Sequence, residues 1–215
     1  MPTKREKSGI ARGKEAILDA AEELFSRYGY HGVSLRDITK QANFELGLAS
    51  YHFGTKDELF RQVVDRRVEE FKETRIRRLD DLIEAKGRDS VTVEDIVGAF
   101  IRVRLEFMFD KGPGWARYSR LSHHFLALEE QRGALMGSEQ DAGRFVFARY
   151  VSALHAILPQ HSREQIERRF NFLRLTLSGI VGSPELIAPP PRTRRGRDLL
   201  VNDLVAFFAA GFRVP

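Results

Sequence analysis

Cysteine is missing altogether from this 215-residue chain. Its absence excludes disulfides, thiolate nucleophiles, cysteine-ligated zinc and thiol redox sensing. Long apolar runs are missing too. The longest, Leu204 to Phe212, falls far short of the roughly 20 residues that a membrane-spanning helix needs. Met1 to Glu15 is polar and basic with no apolar stretch behind it, so no secretory signal is expected. These absences lead to the expectation of a soluble, cytoplasmic protein. Catalytic signatures are equally scarce. The neighbours His123 and His124 fall on different faces of a helix and cannot act as an i, i+4 ligand pair. The stretch from Gly9 to Glu15 has the wrong spacing for a phosphate loop, and Glu15 stands where Ser or Thr is required. No Gly-x-Ser-x-Gly elbow occurs. Neither an enzyme nor a cofactor or metal site is expected.

Hydrophobic residues make up 42% and charged residues 30%, an ordinary globular balance. Net charge is a modest +5, but it is unevenly spread. Lys4, Arg5, Lys7, Arg12 and Lys14 against Glu6 form a basic arm before the first helix, suited to nucleic-acid phosphates. Apolar residues recur at helical spacing nearly everywhere, and no period-2 strand stands out. Ile17, Ala20, Ala21, Leu24, Phe25 and Tyr28 form a first stripe, stopped by Gly29. Ser34 with Asp37 opens a second helix, Asn43-Phe44 breaks it, and a short third helix runs from about Glu45 to Phe53. Thr55 with Glu58 opens a long fourth helix. Further helices are predicted near 92–110, 115–131, 139–158, 163–182 and 197–213. The proline- and arginine-rich segment 183–197, including Arg192, Arg194, Arg195 and Arg197, reads as an exposed linker. The fold class is therefore all-α: a basic arm and a three-helix helix-turn-helix domain over 1–56, then a larger helical bundle over 57–215.

The spacing from Ser34 to Phe53, two short helices around a tight break, is that of a helix-turn-helix. An α-helix about 10–12 Å across fits the major groove of B-DNA, about 12 Å wide. Phe44, Ala49 and Phe53 can pack inward, leaving Leu46, Gly47, Ser50 and Tyr51 free to enter the groove. At these residues the sequence resembles the TetR (tetracycline-repressor-like) family of transcriptional regulators. The stretch ILDAAEELFSRYGYHGVSLRDITKQANFELGLASYHFGTKDELF, from Ile17 to Phe60, carries the resemblance. Residues 87–215 are only compatible with the family as a helical bundle.

The resemblance implies DNA contacts at Ser34, Arg36, Leu46, Gly47, Leu48, Ser50, Tyr51, His52 and Lys56. Ser34 would meet a phosphate, and Arg36 is long enough to reach a guanine edge. Tyr51 and His52 correspond to a phosphate-contacting pair, though an aromatic cap on the small core is the alternative for either. Lys56 adds charge to the first turn of the fourth helix. Leu46 to Ala49 offers few hydrogen-bonding side chains, so base readout would lean on thymine methyl groups.

The resemblance also implies a homodimer on a palindromic operator and release by an apolar or aromatic small molecule. Phe170, Leu173, Leu177, Leu200, Leu204 and Phe208 are the candidate dimer residues, with the core of a monomer as the other reading. Phe100, Arg104, Phe107, Trp115, Tyr118, His123, Phe125, Phe147 and Arg174 are the candidate pocket residues, although core packing accounts for most of the aromatics equally well. The rival function is a nonspecific or architectural DNA binder without an effector.

Overall fold

The computed structural model describes residues 4–129, 137–183, 191 and 193–214, with side chains described for 12–121, 142–183, 191 and 193–214. Among the described residues there are nine α-helices and no strand, as the apolar periodicity implies. They are α1 (Lys4–Tyr28), α2 (Leu35–Ala42), α3 (Leu46–Phe53), α4 (Lys56–Lys86), α5 (Val93–Phe109), α6 (Pro113–Glu129), α7 (Gly137–Ile157), α8 (Arg163–Gly182) and α9 (Arg194–Arg213). No described helix is long and apolar enough to cross a membrane.

Local chemistry sets most of the boundaries. Capping boxes form at Ser34/Asp37, Thr92/Asp95 and Ser162/Gln165, each satisfying otherwise orphaned amides of a first turn. Gly29 ends α1 at φ 70°, where a Cβ would be strained. One boundary differs from expectation. The basic residues from Lys4 are not an arm before the first helix but belong to α1, because lysine, arginine, glutamate and alanine there all favour helix.

The helices gather into two compact units, residues 1–67 with 113–137 and residues 68–112 with 138–215. In the first unit, α1 packs against α2, α3 and α6. Its centre is Phe25, fully buried, with the Phe60 ring edge-on at 5.0 Å. Ile17, Ala21, Ile38, Ala49 and Phe53 are buried in the same unit, to which α6 adds Trp115, Tyr118 and Leu121. The unit thus takes in a helix from well beyond residue 56.

In the second unit, α5 packs against α8 and α9. Phe170 sits at its centre, with the Phe100 ring at 4.7 Å, Phe147 at 5.5 Å and Tyr150 at 5.9 Å. Burying each such ring contributes about 1.5–3 kcal/mol. Burial pushes the Tyr150 phenol pKa up, and its hydroxyl donates to the Arg75 carbonyl at 2.9 Å. Here the candidate dimer residues must be corrected. Phe170, Leu173, Leu177 and Phe208 are buried within one chain, and Leu200 and Leu204 pack against the same core. The 3.6-residue period turns this stripe inward and leaves Phe172 and Leu175 of α8 exposed, with Leu199 and Phe207 exposed on α9.

Candidate nucleic-acid interface

The helix-turn-helix is built from two eight-residue helices too short to stand alone. Ile38 in α2 and Ala49 and Phe53 in α3 are buried and anchor both. The turn between them needs a left-handed residue, which Asn43 supplies at φ 59°, its N–H meeting the carbonyls of Lys40 and Thr39. Ser34 Oγ accepts from the Asp37 amide at 3.2 Å and donates to the Asp37 carboxylate at 2.5 Å. The Ser34 hydroxyl bond first, and next the Ser34 backbone N–H donating to the same carboxylate at 2.9 Å, hold the Asp37 carboxyl below its usual range. Ser34 is therefore already engaged in its cap, while Arg36 stands exposed in the first turn of α2.

On α3 the outward face is Leu46, Gly47, Ser50 and Tyr51, all exposed, Tyr51 at 76%. A Cβ built on Gly47 would meet nothing within 4 Å, so the backbone there is open to close approach. Leu48 is only half-exposed, because it lies on α1 at Gly13, where an added Cβ would come within 2.8 Å of it. His52 is half-buried with its Nε2 enclosed and, among the described residues, without a hydrogen-bond partner. That geometry favours the aromatic-cap role over phosphate contact for His52, and leaves Tyr51 as the accessible member of the pair. Lys56 Nζ sits over the Tyr30 ring at 4.1 Å, whose hydroxyl donates to Asp57. Phe44, expected inward, is 37% exposed.

A second constellation ties α1 to α4 and α6 in the same unit. Glu22 on α1 is 1% exposed yet ionisable. Arg67 donates to both of its oxygens at 3.2 Å, Arg66 approaches at 3.4 Å, and Arg117 of α6 at 3.6 Å. Arg66 also reaches Asp19 at 2.9 Å and Glu15 at 3.0 Å, one and two turns earlier on α1. The Arg67 guanidinium lies 5.1 Å from the Trp115 ring and directly over Gly114, where a Cβ would sit 2.3 Å from its nitrogen. Sequence reading passed over this cluster. The clue was present: Glu22 falls at i+4 from Leu18 and i−3 from Phe25, on the buried face of α1.

The candidate pocket residues divide between the two units. Phe100 and Phe107 are buried in the second unit, and Arg104 lies there against the Phe71 ring at 5.4 Å. Phe147 is half-buried, with the Arg174 guanidinium 5.4 Å from its ring. Trp115 and Tyr118 belong to the first unit, and the side chains of His123 and Phe125 lie outside the described residues. A separate apolar groove of about 380 Å³ is lined by Leu79, Ile83, Val91, Ile96 and Ile157, with Asp80 paired to Arg149 at its rim.

Comparison with known proteins agrees with this architecture. Residues 17–63 match the bacterial regulatory proteins of the tetR family, and residues 98–211 match the tetracyclin repressor-like C-terminal domain. The chain is 37% identical over 68 residues to the negative transcriptional regulator of the biofilm operon, IcaR, of Staphylococcus epidermidis, covering 32% of this chain and 37% of that protein. It is 43% identical over 65 residues to an HTH-type transcriptional repressor of Mycobacterium tuberculosis, covering 30% of this chain and 32% of that one. The chain thus spans only about a third of the length of these curated relatives in its matches. Mycobacterium smegmatis AmtR shares the fold, with a TM-score of 0.60 at 18% identity over 97% of this chain and 87% of that one. With its three-helix head, its helical second unit and both halves of the family pattern in order, the chain belongs to the tetR family of bacterial regulatory proteins.

Proposed function

We propose that this chain is a homodimeric repressor that binds a palindromic operator and is released by an apolar or aromatic small molecule. The observation that carries the reading is the outward face of α3: Leu46, Gly47, Ser50 and Tyr51 stand exposed on a helix whose other face is locked by Ala49 and Phe53. Arg36, exposed at the start of α2, supplies the guanidinium for base or phosphate contact. Dimerisation is supported by the bare Phe172, Leu175, Leu199 and Phe207 on α8 and α9. A two-fold pairing of such helices sets two recognition helices one or more DNA turns apart, about 34–36 Å each. The apolar groove beside Leu79 and Ile96 suits an effector of the proposed class. Ligand binding would favour a dimer whose α3 helices are wrongly spaced, with a reciprocal coupling of about 1–3 kcal/mol.

The test is selection of bound fragments from sheared DNA of the source organism at physiological salt, followed by binding assays on the recovered site. One palindromic site, poorly competed by bulk DNA, is expected. Arg36→Ala should then weaken binding by about 1–3 kcal/mol and relax preference at one base pair, while Lys56→Ala should weaken all sequences alike. Wild-type binding by both variants would show that the contact face is misassigned. Recovery of no preferred sequence, before and after refolding to strip any bound effector, would favour a nonspecific binder.

A further inference from the structure

The arginines read from the sequence as a solvated linker do not form one. Arg194, Arg195 and Arg197 make the first turn of α9, whose N-cap Thr193 accepts from the Gly196 amide at 3.1 Å. Folding them into a helix puts Arg194 and Arg197, three residues apart, on one face. That face lines a cleft of about 380 Å³, to which α4 brings Arg78 and α5 brings Arg102. Four guanidinium groups therefore border one cavity.

Their partners are unequal. Arg78 is paired with Glu106 at 3.0 Å and Arg197 with Asp110 at 3.0 Å. Arg102 donates to the neutral Asn202 at 3.3 Å, and Arg194 makes no ion pair among the described residues. Asp198 is the remaining carboxylate of the wall. The floor is apolar: Leu105 and Val201 are buried, and the Arg197 guanidinium lies 5.9 Å from the Phe109 ring. Two cations that lack a carboxylate partner above an apolar floor form a site for an amphipathic anion. A cavity of this size falls within the roughly 300–1,000 Å³ of small-molecule sites. Charge narrows the choice. With Glu106 and Asp110 already paired to Arg78 and Arg197, a monocarboxylate brings only one charge and two acceptor oxygens to the two guanidinium groups of Arg102 and Arg194. A phosphate monoester brings about −1.5 to −2 and three strong acceptor oxygens, enough for two guanidinium forks together.

We propose that this cleft binds a phosphate monoester with a small apolar or aromatic body, its phosphate held by Arg194 and Arg102 and its body on Leu105, Phe109 and Val201. The site is independent of the DNA-binding reading. It is also chemically distinct from the apolar groove at Leu79 and Ile96, so the chain would respond to two kinds of molecule. Occupancy would tie the first turn of α9 to α5.

The experiment is isothermal titration calorimetry on the full chain with phenyl phosphate, flanked by inorganic phosphate and phenol as its two halves. Saturable binding of phenyl phosphate is expected, at least tenfold tighter than inorganic phosphate, with phenol failing to compete. Arg194→Ala and Arg102→Ala, both at exposed positions, should each weaken it at least tenfold without lowering the unfolding temperature. The proposal is overturned by absent saturation, by equal affinity for inorganic phosphate, or by indifference to both substitutions. Loss of binding on Arg36→Ala instead would assign the phosphate to the helix-turn-helix and overturn it equally.

Discussion

The two compact units solve the same packing problem with different interactions. In the first, α2 and α3 have only eight residues each and little area to bury, and the unit is stitched by directional charge. Beside the Phe25 core, Glu22 is buried with Arg66, Arg67 and Arg117 around it. In the second, helices of 17 to 21 residues close around stacked and edge-on rings at Phe100, Phe147, Tyr150 and Phe170. Apolar packing is non-directional and tolerates small shifts, whereas a buried carboxylate tolerates few arrangements because each lone pair needs a donor. The difference suits the proposed roles: a surface that reads DNA needs one fixed geometry, while a unit proposed to respond to ligands needs alternatives of similar energy.

The largest effect is expected in the second unit. Phe170→Ala should cost about 3–5 kcal/mol in denaturant unfolding, because three rings lose their common partner and the cavity cannot collapse fully. A cost below about 1 kcal/mol would mean that the core repacks freely and the contrast fails. Next is Glu22→Gln, which keeps the shape but takes the counter-charge from Arg67 and Arg117, while Arg66 keeps Asp19 and Glu15. About 3 kcal/mol is expected, less than for a fully dry pair because the arginines keep some solvent. Arg67→Met in the same background should then restore part of the loss, which would separate charge from packing.

A smaller effect comes from pH. Glu94 is held below the usual carboxylate range by hydrogen bonds from Arg213. Burial raises Asp95, but Lys86 and the Thr92 cap outweigh it, so its pKa is lowered as well. Groups depressed on folding stabilise above their unfolded pKa and lose that contribution as pH falls through the folded value. The unfolding temperature should therefore be flat above about pH 5 and decline below about pH 4. Asp95→Asn should cost about 1 kcal/mol at neutral pH and shallow the acid limb, and an unchanged acid limb would count against this assignment. Smallest is Gly47→Ala, which enters open space and should stabilise by up to about 1 kcal/mol. If close backbone approach matters, operator affinity should drop while stability rises.

Much of the fold was legible because it is written locally. Capping pairs and glycine stops placed α2, α3, α5 and α8 within a residue or two, and α8 at 163–182 coincides with the stripe. What the sequence hid was orientation and membership. A stripe such as Phe170, Leu173 and Leu177 looks the same whether it meets its own chain or a second copy, and only burial decides. Arg194 to Arg197 read as linker because proline precedes them, yet Thr193 caps them into a helix. For the candidate interface, the exposed α3 face could be picked out from spacing, and Arg36 from the family resemblance. The enclosure of His52 and the seating of Leu48 on Gly13 could not, since both depend on contacts with residues distant in the chain or on the packed neighbourhood.

The position of α6 carries a consequence for anyone who would transplant the helix-turn-helix head onto another helical body. Because Arg117, Trp115 and the bare backbone of Gly114 complete the shell around Glu22 and Arg67, the head is not one continuous stretch of chain. A hybrid cut after residue 67 would carry Glu22 without one of its three cations and Arg67 without its aromatic platform. A hybrid that also brings the first turns of α6, or matches a glycine-tryptophan pair and an arginine in the recipient, keeps the junction whole.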